Sequence, residues 1–489
     1  MSFQIKEATI SKIHSELMSS RITTTELVQG YLDRIENIDS KGPKLNSIVT
    51  INPRALQEAK RLDDYQKSQG RLYGPLHGIP VVVKDQIETA GIMTTFGSVA
   101  MDGYVPKEDA TIISKLKDAG AIILAKTTMP DFATSWFGYS SKSGVSKNPY
   151  DLAYDPGGSS GGTGIAVAAN LATVGIGEDT GGSVRLPASF NNLVGLKPTP
   201  GLISRHGMSP LVKFQDSAGP MCRTVEDMIR VLNIIAGFDA KDPFTSTAVI
   251  SGKLLSKDEV SIDAFKECRV GVLHQVLENI ENKSANSVGL VIQQAIEDIV
   301  SLGATVIDIE IPNLEHYLDL SSLYVIRSKY DIDNFLASRS TPVKSIEEIY
   351  NSKQYHPSLE LFEMLANGPN NPEKEIDYFE RYVACQEFQR VILNEMGKNN
   401  VDVIMYPTTS IPAPSRAELD NGKWTTFTYP TNTLIAAQSW LPAVTVPAGF
   451  AGNLPVGLEF MGAPYSENIL CSKAFAFEQR TRHRSSPAI

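Results

Sequence analysis

Apolar residues recur along this chain in two rhythms. Leu27, Tyr31 and Ile35 fall on one helical face behind Thr23-Thr24-Thr25-Glu26, a capping-box pattern. A second helix is expected from about Pro53 to Gln66, stopped at Gly70. From there the pattern alternates. Val81–Lys84 is a short β-branched run, Ala110, Ile113 and Leu116 mark a helix ending at Gly120, and Ala121–Ala125 is a continuous apolar strand. The same order returns with Val288, Ile292, Ala295 and Ile299 ahead of Gly303 and a strand at Thr305–Ile309. Further strands are expected at Val403–Tyr406 and Ala443–Val446, and a last helix from about Glu467 to Arg482. Strands joined through helices pair in parallel and are covered on their faces. The expectation is an α/β protein with a large mixed twisted sheet carrying helices on both faces. Residues 1–70 form an N-terminal helical cap, and residues 71–489 form the core, with a mostly helical insert at about 310–400. A polar break spans residues 237–267.

Composition narrows the function classes. A formal charge of −10 without a long basic run argues against binding driven by phosphate neutralisation. The Arg480, Arg482, His483, Arg484 cluster is short and is expected to be a solvated tail. The longest mainly apolar region, Gly164–Gly177, is too short to span a bilayer. The N-terminus lacks the basic and apolar regions of a secretion signal. Cys222, Cys268, Cys385 and Cys471 have no paired spacing, which fits a reducing cytoplasm rather than a zinc site or disulfide framework. No nucleic-acid partner and no membrane partner are expected; the N-terminal helices leave room for a homodimer.

Two glycine- and serine-rich stretches carry the chemistry. Gly157–Gly162 and Asp179–Arg185 each set a small hydroxyl among residues that leave the backbone N–H groups accessible. A lysine, Lys84, ends an apolar strand upstream of both. Gly157-Gly158-Ser159-Ser160-Gly161 fits a nucleophile-elbow pattern, but Asn148–Pro156 is a poor central strand and no histidine sits in a distinctive setting. Gly175–Gly181 lacks the third glycine of a dinucleotide fingerprint. A Ser–Lys pair explains more. A serine must lose its proton as it attacks, and a neutral lysine can accept it. Bringing a lysine from a pKa of ~10.4 to about 7–8 costs roughly 3–5 kcal/mol, part of which burial against Val81–Val83 can supply.

With these residues the chain resembles the amidase signature family. Gly157–Gly162 followed by Gly181-Gly182-Ser183 is similar to the family's central signature, with Ser159 and Ser183 at its spacing. Lys84-Asp85 resembles its lysine element, and Ala125–Phe132 and Gly195–Thr199 resemble flanking segments. The likeness runs from about residue 5 to 480 and is densest at 74–238. It implies Ser183 as nucleophile, Ser159 as bridging serine after a cis peptide, and Lys84 as terminal base. It further implies an oxyanion hole from the N–H groups of Thr180, Gly181, Gly182 and Ser183, with Ser160 holding Lys84 and Asp179 in support. No metal or organic cofactor is implied. The activity implied is hydrolysis of a small-molecule carboxylic amide, with carbamates or esters as further substrates. The rival activity is that of a glutamine amidotransferase component in a tRNA-dependent complex.

Two positions depart from or extend the pattern. Glu178 stands where many members carry a small hydroxyl, so its charge must point away or be paired. Arg185 either recognises a polar substrate or forms an ion pair with Asp179 or Glu178. Ala133, Ser135 and Trp136 are implied to line the acyl pocket, with Phe427, Tyr429 and Trp440 contributing from the C-terminal side.

Overall fold

The structure, a computed structural model, describes residues 3–252, 254, 258–278 and 283–489. Part of the polar break at 237–267 therefore lies outside the described residues. Its strands are β1 Ile48–Ile51, β2 Pro80–Lys84, β3 Ile122–Thr127, β4 Tyr139–Ser140, β5 Gly144–Val145, β6 Val174–Asp179, β7 Val194–Lys197, β8 Ser217–Cys222, β9 Arg269–Val272, β10 Thr305–Asp308, β11 Val403–Pro407, β12 Ala443–Ala451 and β13 Leu454–Met461. Strands β4 and β5 pair with each other; the rest form one 11-stranded sheet in the order β1-β3-β2-β6-β8-β7-β12-β13-β11-β9-β10. The sheet is mixed. Strand β2 runs parallel to β3 and β6, and β9 runs parallel to β10 and β11, while the centre from β6 to β11 is antiparallel.

Helices cover both faces, and strand periodicity shows it. Val403 and Met405 of β11 enter one apolar core, while Ile404 and Tyr406 enter another on the opposite side. The first core takes in helices Gly161–Ala168, Val225–Ile235 and Glu467–Thr481, and the second takes in Tyr378–Asn399. A third apolar cluster lies under the insert, whose helices are Leu314–Leu320, Tyr324–Ala337, Ile346–Asn351, Glu360–Ala366 and Tyr378–Asn399. Among the described residues no helix is long and apolar enough to cross a membrane.

The N-terminal segment starts as its pattern dictates. Thr23 Oγ1 accepts the Glu26 N–H at 3.1 Å, and Glu26 Oε2 accepts the Thr23 N–H at 2.8 Å, which caps helix Thr24–Arg34. Helix Ala55–Gln69 ends at Gly70 in the left-handed region. The segment is not wholly helical, however. Strand β1 pairs antiparallel with β3 and closes the sheet edge, because its β-branched Ile48-Val49-Thr50-Ile51 run suits a pleated surface.

In the C-terminal basic cluster Arg480 and Arg482 are exposed as expected, but Arg484 is not. Arg484 is no solvated side chain: it donates to Glu7 at 2.9 Å, to the Tyr150 hydroxyl at 2.6 Å and to the Asn192 carbonyl at 3.0 Å. Its guanidinium fork pins the end of the chain against the N-terminal segment. The four cysteines are buried and unbonded to one another.

Candidate active site

The parallel pairing of β2 with β6 builds the site. Val83 lies opposite Ile176, so the carboxyl ends of the two strands bring Lys84 against Glu178. Helix Gly161–Ala168 crosses the same strands, and Ser159 and Ser160 stand at its N-terminus. Close approach of helix and sheet requires the glycines of β6: a Cβ on Gly175 would lie 2.4 Å from Thr163 Cγ2. The Gly158–Ser159 peptide is cis.

Lys84 is fully buried. Its Nζ donates to Ser159 Oγ at 2.8 Å, to the Glu178 carbonyl at 3.1 Å and to Glu178 Oε2 at 3.0 Å. Burial pushes the Lys84 amine below the ordinary lysine range, and the adjacent Glu178 charge opposes that shift without cancelling it. Ser160 does not bond Lys84. Its hydroxyl donates to the Glu178 carbonyl and accepts the Glu178 N–H, both at 3.2 Å, so it fixes the residue that holds the lysine. The Ser160 N–H donates to the Ser183 carbonyl at 3.1 Å and ties the two serine stretches together.

Asp179 shapes the loop that carries Ser183. Its carboxylate accepts the N–H groups of Gly182 at 2.8 Å, Val184 at 3.1 Å and Arg185 at 3.3 Å. Burial would raise this carboxyl, but the Arg185 charge and hydrogen bonds outweigh it and hold the group below its usual range. This revises the expected oxyanion hole. The Gly182 N–H is spent on Asp179, whereas those of Thr180, Gly181 and Ser183 carry no hydrogen bond among the described residues.

Arg185 does not reach the cavity. It is fully buried and donates to Asp179 at 3.0 and 3.1 Å, to the Thr433 carbonyl at 2.9 Å and to Glu459. Its expected role in substrate recognition gives way to the ion-pair alternative, because every donor direction of the fork is turned into the protein.

Ser183 opens onto a cavity of about 300 Å³. Ala133, Ser135 and Trp136 line it from one side and Phe427 and Tyr429 from the other. Trp440 is not among the lining residues; its ring packs on Tyr382. Sequence reasoning missed Leu318, Asp319, Tyr324, Val325 and Leu361, which come from the helical insert. It also missed Asp216, just ahead of β8, which reaches the site because Ser217 pairs opposite Asp179. No motif marks these residues, since strand pairing and helix docking alone bring them in.

Comparisons with known proteins bear on the family of the chain and its fold. The model of the Amidase family matches residues 26–471. The A component of the glutamyl-tRNA(Gln) amidotransferase of Pediococcus pentosaceus is 33% identical, over 98% of each chain. Native peptide amidase from Stenotrophomonas maltophilia superposes with a TM-score of 0.86 at 33% identity, over 98% of each chain. The A component of the Thermotoga maritima glutamyl-tRNA(Gln) amidotransferase gives 0.74 at 25% identity, over 100% of this chain and 98% of that one. The first and third of these relatives overturn the expectation of no nucleic-acid partner. Their names make them subunits of a glutamyl-tRNA(Gln) amidotransferase, and the net charge of this chain does not outweigh a likeness that runs over its whole length. With the family model spanning most of its length and the fold shared throughout, the chain belongs to the amidase family and is a hydrolase acting on carbon–nitrogen bonds.

Proposed function

We propose that the chain hydrolyses a linear carboxylic amide through an acyl-enzyme on Ser183, with Ser159 relaying the proton to Lys84. The observation that carries this reading is the buried 2.8 Å contact between Lys84 Nζ and Ser159 Oγ, next to a cavity into which Ser183 opens. In its neutral form Lys84 accepts the Ser159 proton while Ser159 takes that of Ser183, whose Oγ forms a bond to the amide carbon. The oxyanion is held by the unspent N–H groups of the loop. The same proton returns through Ser159 to the leaving nitrogen, the C–N bond breaks, and water repeats the relay to release the acid.

The cavity supports a neutral, apolar or aromatic acyl group. Among the described residues its lining has no lysine, arginine or histidine, and its one carboxylate is Asp319. A substrate bearing a free carboxylate would meet no counter-charge there. A carbamate or ester of the same shape would use the same machinery. A cytoplasmic setting belongs to this reading and is supported by the four unpaired thiols.

A second reading, a component of a glutamine amidotransferase, is favoured by the names of the relatives. Ammonia release from a C-terminally amidated dipeptide, an aryl amide and L-glutamine separates the two. The first reading expects turnover of the first two and little of glutamine. Ser183→Ala is expected to lower kcat by at least about 10⁴-fold with an unchanged unfolding midpoint. Near-wild-type turnover by that variant would refute the assignment.

A further inference from the structure

The network behind Lys84 contains one contact too many for the protons ordinarily counted there. Thr180 Oγ1 lies 2.8 Å from Glu178 Oε1 and 2.7 Å from Asp216 Oδ1. A hydroxyl has one proton and can donate to only one of them. If both carboxyls were ionised, the second contact would set two oxygens together with no hydrogen between them. Each carboxyl also has partners of its own. Glu178 Oε2 receives Lys84, and Asp216 receives the N–H groups of Leu211 and Val212, both at 3.0 Å. Lys84, Glu178 and Thr180 are fully buried and Asp216 is nearly so.

We propose that Glu178 and Asp216 hold one shared proton through the Thr180 hydroxyl, and that this carboxyl pair is a positioning device that sets the charge on Lys84. The inference rests on the reading of Lys84 as terminal base. With Asp216 protonated, its O–H donates to Thr180, Thr180 donates to Glu178, and the charges of Lys84 and Glu178 cancel. When the N–H bond of the Lys84 ammonium breaks, an O–H bond forms at Glu178 Oε2 and the lysine lone pair is restored. Both states are electrically neutral, so the base is prepared without leaving a net charge in a buried site. The other charged groups nearby form a cluster of their own: Asp179 and Glu459 share Arg185, Lys197 acts on Asp179, and the Tyr324 hydroxyl donates to the Thr180 carbonyl at 3.3 Å. Burial drives the Asp216 carboxyl well above its usual range and the Glu178 charge adds to it, which agrees with a proton held there.

The test has two readouts on the full chain. Infrared spectra at neutral pH compare wild type with Glu178→Gln and Asp216→Asn. A protonated-carboxyl stretch present in wild type and lost in both variants is expected, whether or not the protein turns over any amide. Its absence from the wild-type-minus-variant differences would overturn the proposal. The second readout is the rate of Ser183 labelling by a fluorophosphonate as a function of pH. Removing the Glu178 charge should move the acid limb to lower pH by about one unit or more, whereas Asp216→Asn, whose amide replaces a neutral carboxyl, should not move it down. A uniform drop in rate with an unmoved limb in Glu178→Gln would reduce Glu178 to a structural role and refute the inference. Should Glu178→Gln fail to fold, Asp216→Asn still decides: loss of the infrared band with no downward shift is expected, and a limb moved to lower pH would mean an ionised Asp216 and overturn the proposal. A wild type that shows the infrared band yet is never labelled would instead sink the acyl-enzyme reading, leaving the shared proton standing.

Discussion

Replacing Arg185 with methionine tests the account of how the nucleophile loop is held. The side chain is fully buried, pairs with two carboxylates and donates to one carbonyl. Methionine keeps much of the volume and removes every donor. Breaking a buried ion pair by deleting one partner costs about 3–5 kcal/mol, because the remaining charge loses both water and its counter-ion. The Thr433 carbonyl also loses one of its donors, which adds about 1 kcal/mol. A loss of roughly 4 kcal/mol or more is therefore expected in urea unfolding monitored by fluorescence. Glu459→Gln in the Arg185→Met background should cost less than it does in wild type, with a coupling of about 1–3 kcal/mol. Turnover should fall as well, since Asp179 organises the N–H groups of the loop. A stability loss below about 1 kcal/mol would refute the reasoning. So would a normal unfolding curve with KM raised only for amides bearing a carboxylate, which would return Arg185 to substrate recognition.

Two further outcomes follow from the same structure. Gly182 has φ +114°, and a Cβ there would lie 2.0 Å from Thr433 Oγ1. Gly182→Ala should cost about 2–5 kcal/mol in urea unfolding and suppress labelling of Ser183, and an unperturbed variant would contradict the described loop. Asp131 is a buried carboxyl whose pKa burial pushes up from 3.8 to about 7 despite bonds from the Ser141 hydroxyl and N–H. Between those values the native state keeps a proton that the unfolded chain has released, so stability falls as pH rises through that window, by roughly 4 kcal/mol in total at ~1.4 kcal/mol per unit. Asp131→Asn should flatten that slope in unfolding midpoints measured from pH 4 to 8, and an unchanged slope would exclude Asp131 as its source.

What the sequence decided by itself is whatever depends on neighbours along the chain. The capping box at Thr23 and Glu26, the αL stop at Gly70 and the apolar strand ending in Lys84 follow from local sterics and hydrogen bonding. The two serine stretches were legible for the same reason, since small residues around a hydroxyl are a local property. Other features needed the tertiary structure. Strand β6 was not among the strands expected from the pattern, because its glycines serve the helix packed on it rather than its own β-propensity. The pairing of Glu178 with Lys84, the turning of Arg185 away from the cavity and the entry of Asp216 and the insert residues were fixed only by which strands lie side by side and which helices dock on them. Such contacts join residues far apart in sequence, and the energy that selects them comes from burying whole faces at once, so no short stretch of the chain encodes them.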